Sequence, residues 1–157
     1  MVDCEARRRA AQLVRRFGDG EITNDEFEDD WPDSRDDRAL RAVGTMLWGS
    51  YSDLYPHRLV GKHALAEEGR RLFRRCALFL ESDREYEWPR DSFTGIGGFG
   101  PVIRVLTLGL SYFADRWIER GHRRARAELE AAGDFGVWPF LQRADYEAAC
   151  QRAVLKD

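Results

Sequence analysis

The sequence predicts an all-α protein, a bundle of about five or six helices, on three observations. Apolar residues recur at the helical period along most of the chain. Serine, threonine, aspartate, glycine and proline stand where helices start and stop. No run sustains the alternation of a strand, and Glu85–Trp88 is the one place where a short extended segment would fit.

Ala10, Leu13, Val14 and Phe17 are spaced i, i+3, i+4, i+7, which puts them on one face of a first helix that Gly18 and Gly20 end. Thr23 and Glu26 have the spacing of a capping box, and Ile22 and Phe27 that of a hydrophobic staple, so a short second helix starts at Thr23 and runs to Trp31-Pro32. Asp33 or Ser34 is positioned to cap a third helix carrying Leu40, Val43, Met46, Leu47, Trp48 and Tyr51, which breaks at Tyr55-Pro56. A fourth helix, from about His63 to Leu80, buries Leu65, Leu72, Phe73, Cys76 and Phe79 and turns Arg70, Arg71, Arg74 and Arg75 outward. Residues 81–100, with Trp88-Pro89 and four glycines, read as a long loop. Pro101 suits the first turn of a fifth helix with Val102, Leu106, Phe113 and Trp117, and a last short helix spans about Asp145 to Leu155 after the turn Gly133–Gly136. With no repeat and no linker composition, residues 1–157 are expected to form one domain, in which 1–32 can act as a semi-independent hairpin.

A 157-residue chain that is 43% hydrophobic and 34% charged, with nine Phe, five Tyr and five Trp, has the apolar surface for a core and is no disordered tail. Three widely spaced cysteines and no leader-like run near Met1 predict a cytoplasmic protein with reduced thiols. The most apolar window, Phe93 to Phe113, contains Arg104, Pro101 and five glycines and does not suit a membrane span.

The net charge of −3 conceals segregation. Residues 21–40 hold nine acids, among them Asp25, Glu28 and Asp29, against Arg35 and Arg38, a local charge of −7. Residues 61–80 carry +3. An acidic chain lacks the field that draws nucleic acid, so a protein partner or a second copy is expected instead. Arg70, Arg71, Arg74 and Arg75 form a doubled stripe, for which the acidic segment of a partner is the complement, while Glu67–Arg71 has the spacing of an ion pair within one helix.

Three motifs are tempting. Gly18–Phe27, GDGEITNDEF, matches the second half of a calcium loop with Gly20 at loop position six, but positions one and three are then Arg15 and Phe17, and a cation and a phenyl ring cannot replace carboxylates. Residues 13–27 resemble the short helical hairpin of SHOCT-type modules, a helix ending in a glycine turn before an "IT..EF" segment, and that resemblance implies an oligomerisation or interaction element without catalysis. Gly95-x-Gly97-x-x-Gly100 has the letters of a dinucleotide loop without the strand that must precede it. What remains, Gly95, Gly97, Gly98 and Gly100 with Arg104, is a candidate cradle for a small phosphate-containing anion.

No catalytic set is legible, although Glu85, Glu87, His57 and an arginine would supply acid, base and cation if loops brought them together. His57, His63 and His122 share no metal-ligand spacing, and no cofactor or metal is expected. The sequence thus points to a non-catalytic interaction module; the alternatives are a binder of a small anion at Gly95–Gly100 and an antitoxin- or immunity-like inhibitor of a basic partner.

Overall fold

The computed structural model describes residues 1–34, 36–52, 54–89 and 131–155. Among them the chain forms five α-helices and no strand: α1 (Cys4–Gly18), α2 (Asn24–Asp29), α3 (Arg38–Trp48), α4 (Glu67–Leu80) and α5 (Arg143–Val154). Two single 3-10 turns, Gly61–His63 and Phe135–Val137, join them. Residues 81–89 are loop, and the rest of the glycine segment and the expected fifth helix lie outside the described residues. No helix among the described residues is long and apolar enough to cross a membrane.

Local chemistry sets most helix ends. Asp3 caps α1, its carboxylate accepting from the Ala6 N–H at 3.0 Å. Thr23 and Glu26 complete the capping box of α2 in both directions, and the staple residues Ile22 and Phe27 are both buried. Gly20 has φ 72°, and a Cβ there would lie 2.4 Å from the Val60 Cγ1. The turn between α1 and α2 therefore accepts only glycine at this position.

Three expected boundaries move. The cap of α3 is Asp37, not Asp33 or Ser34, because the Asp37 carboxylate accepts the Ala39 N–H while also holding Arg7. That helix stops at Trp48, well before Tyr55-Pro56, where the chain turns at Gly49-Ser50. The fourth helix begins at Glu67, since Gly61 is left-handed at φ 56° and Ala64 is extended at ψ 139°. Glu67 and Glu68 then complement the dipole at its first turn.

The apolar faces of α1 and α4 pack on each other, α3 lies against both, and α5 closes on α4. Phe17 sits at the centre of one aromatic cluster: it stacks on Phe27 at 4.8 Å, takes the edge of Tyr51 at 5.0 Å and meets Phe73 at 6.0 Å. A second cluster anchors the loop after α4. The Trp88 indole N–H donates to the carbonyls of Pro139 and Phe140, and the Trp138 N–H donates to the Tyr86 hydroxyl. Both buried tryptophans thus satisfy their single donor.

Between α1, α3 and the loop lies an ion pair with both side chains almost fully buried. Arg7, 1% exposed, donates to both carboxylate oxygens of Asp37 at 2.6 and 2.9 Å. Its remaining N–H groups reach the carbonyls of Ser82 and Arg84, and its guanidinium lies over the Phe79 ring at 5.6 Å. Burial opposes the charge on Asp37, yet the Arg7 hydrogen bonds and the N–H groups of Asp3 and Ala39 hold its carboxyl below the usual aspartate range.

The thiols differ in the same way. Cys4 is exposed, whereas Cys76 is buried on α4 and burial pushes its thiol up, so it has little thiolate. A thiol reagent is expected to label Cys4 in the native protein and Cys76 at least about 100-fold more slowly, through unfolding. Labelling of Cys76 at the rate of Cys4, read by mass spectrometry of the digested protein, would contradict the packing of α4.

Candidate functional site

The segment from Gly49 to His63 departs from α3, crosses α2 and returns to α4, and short-range forces bind it to α2. The Tyr51 hydroxyl donates to Glu28 at 3.0 Å while its ring meets Phe17 and Phe27 edge-on. Asn24, 1% exposed, grips His57 twice: its main-chain N–H donates to the His57 carbonyl at 3.0 Å and its Oδ1 accepts the His57 N–H at 2.7 Å. The Asn24 Nδ2 is buried without a hydrogen-bond partner among the described residues. A buried amide donor of this kind costs about 1–3 kcal/mol.

Outside that anchored frame the segment and the last residue of α3, Trp48, display large apolar groups. Trp48 is 55% exposed, Leu54 85%, Tyr55 47% and Val60 53%. Beside them Asp25, Glu28 and Asp29 are exposed along α2, together with Asp30 and Asp33. An open groove of about 570 Å³ runs between α2 and α3, floored by Trp31, Pro32 and Leu40 and flanked by Glu28, Asp33, Ser34 and Arg41. Tyr51 and His57 tie this segment to the acidic helix α2, through Glu28 and Asn24.

Tyr55, His57 and His63 gather at the end of the segment, though nothing in their spacing announced it. The two imidazole centres are 4.6 Å apart, with the Tyr55 ring 5.5 and 5.7 Å from them. The His57 Nδ1 lies 3.0 Å from the Tyr55 carbonyl, which only accepts, so that nitrogen carries the hydrogen. Desolvation, His57 and Lys62 together lower the His63 pKa and favour its neutral imidazole.

The arginine stripe is divided. Arg70 and Arg71 both pair with Glu67 on their own helix, at 3.4 and 3.1 Å. Arg75, expected to face outward, is half-buried and donates to the Trp138 carbonyl at 3.1 Å, because the chain from Phe135 to Phe140 passes against α4. Arg74 is exposed. No ion pair among the described residues joins this stripe to Asp25, Glu28 or Asp29.

Gly95, Gly97, Gly98, Gly100 and Arg104 lie outside the described residues, as does His122. Glu85 lies 3.9 Å from the N-terminal amine, and neither Glu85 nor Glu87 forms a hydrogen bond with His57 among the described residues. At positions one and three of the would-be calcium loop, just before GDGEITNDEF, the residues are committed elsewhere: Arg15 to Glu81 at 2.7 Å and Phe17 to the core. Comparison with protein-family models, with curated proteins and with solved structures gives no match.

Proposed function

We propose that the protein is a non-catalytic interaction module whose docking face is the 48–60 segment together with the acidic side of α2, and whose partner is basic. The observation that supports this reading is the exposure of Trp48, Leu54, Tyr55 and Val60 on a segment tied by hydrogen bonds to α2. Aromatic side chains of this kind are the anchors of binding interfaces. The exposed acids between Glu21 and Asp33 favour a cationic partner and speed its approach, with Asp25, Glu28 and Asp29 at the rim. Self-association through Arg70, Arg71 and Arg74, the exposed members of the stripe, against the acidic segment of a second copy is the other form of the same module.

The test is capture of partners from the native host at low and high salt, with light scattering to read the oligomeric state. A partner held by the docking face is expected to lose at least tenfold in affinity with Trp48→Ala or Tyr55→Ala, about 1.4 kcal/mol or more each. Charge-neutralising Asp25→Asn, Glu28→Gln and Asp29→Asn together should slow association and flatten its salt dependence. A partner indifferent to all five substitutions would refute the assignment of the face.

A further inference from the structure

We propose that Tyr55, His57 and His63 form a site for one divalent transition-metal ion of the borderline class, Zn²⁺, Ni²⁺ or Cu²⁺. The placement of the two rings is the first ground. Their centres are 4.6 Å apart and their planes are inclined at 45° rather than stacked. Metal–imidazole bonds of about 2.0–2.1 Å put two ring centres roughly 4.5 Å apart at a square angle and roughly 5.2 Å apart at a tetrahedral one, and the observed spacing matches the former.

The support around His57 is the second. A metal-bound imidazole commonly donates its other N–H to a carbonyl or carboxylate, which fixes its tautomer and its aim. The His57 Nδ1 makes that bond to the Tyr55 carbonyl at 3.0 Å, which leaves Nε2 as the coordinating atom. Its main chain is held on both sides by the buried Asn24, so this ligand is positioned before any ion arrives.

His63 brings the second nitrogen, and its Nε2 is 3.4 Å from the Tyr55 hydroxyl. The phenol oxygen is thus placed to act as a third donor, or to hydrogen-bond a water on the ion. Two imidazoles without a carboxylate select a borderline ion and reject Ca²⁺ and Mg²⁺, which need sets of hard oxygens. Among the described residues no third His, Cys, Asp or Glu joins the pair, so water fills the remaining positions and binding falls short of a closed four-ligand site. Lys62 and Arg58, the cationic neighbours of the pair in sequence, also oppose the charge of the ion. The Irving–Williams order then places Cu²⁺ tightest.

The site stands independently of the docking reading, although an ion bridging His57 and His63 would also fix Tyr55. Calorimetric titration of the full chain, with thiols reduced, by Zn²⁺ and Ni²⁺ at pH 7.5 tests it, with Ca²⁺ and Mg²⁺ as controls. One ion per chain is expected, weakened at least tenfold by either His57→Ala or His63→Ala, severalfold by Tyr55→Phe, and not at all by Cys4→Ser. Histidine-ring NMR of the unaltered protein gives a readout free of substitutions: Zn²⁺ should shift the rings of two of its three histidines together. Unchanged affinity in both histidine variants, loss of binding in Cys4→Ser, or a shift of fewer than two rings would overturn the proposal.

Discussion

Arg7→Met is expected to destabilise the protein by about 3–5 kcal/mol, because it leaves the Asp37 carboxylate charged in a site that water does not reach. Asp37 keeps only the N–H groups of Asp3 and Ala39, and the carbonyls of Ser82 and Arg84 lose the donor that bound them to α1. At about 2–4 °C per kcal/mol for a chain of this size, the melting midpoint should fall by roughly 10 °C. The paired substitution Arg7→Met with Asp37→Asn removes the stranded charge and should recover part of the loss, which a double-mutant cycle in urea would measure. A cost below about 1 kcal/mol for Arg7→Met would mean that the pair is far wetter than its burial implies.

The same pair sets a pH dependence. Asp37 has a depressed pKa in the folded chain, so its contribution is present above the unfolded aspartate value of about 4 and is lost as the pH falls through the lower folded value. Unfolding free energy measured from pH 6 to pH 2 should therefore drop below about pH 4. In Arg7→Met this part of the drop should shrink, since the guanidinium that holds the folded pKa down is gone.

Phe17→Ala is expected to cost about 3–5 kcal/mol, the range for deleting a fully buried phenyl ring, while Phe17→Leu should cost markedly less. The ring touches Phe27 of α2, Tyr51 of the displayed segment and Phe73 of α4, so its loss opens a cavity where all three meet. Gly18 lies so close to Phe73 that an added Cβ would stand 3.1 Å from that ring, which leaves α1 and α4 little room to settle together and fill the space. Urea midpoints of both variants read the cost. Hydrogen exchange should also show α2 and residues 51–57 less protected in Phe17→Ala at temperatures where the rest is folded. Uniform loss of protection across all helices would show instead that the hairpin and the bundle unfold as one unit.

Much of the architecture was legible because it is written in short-range chemistry. The period of Ala10, Leu13, Val14 and Phe17, the capping box at Thr23 and Glu26, the staple of Ile22 and Phe27 and the pairing of Glu67 with Arg71 each involve residues no more than seven apart. Such signals act through one or two helical turns and need no knowledge of the remaining chain.

What depended on distant residues was not legible. The sequence offered Asp33 or Ser34 as the cap of α3, and the cap proved to be Asp37, which Arg7, 30 positions away, supplies with a buried countercharge. Arg75 looked like its exposed neighbours until the Trp138 carbonyl, 63 positions away, was brought to it. His57 and His63 shared no helical spacing, and they meet because Asn24 holds one end of an irregular segment while the turn at Gly61–His63 folds the other end back. The sequence by itself determined that the chain is helical, where most helices begin or end, and which faces are apolar. The tertiary structure alone decided which cap is used, which arginine is buried and which side chains stand together at the surface, because loop closure brings chemically ordinary residues within reach of partners that their spacing does not encode.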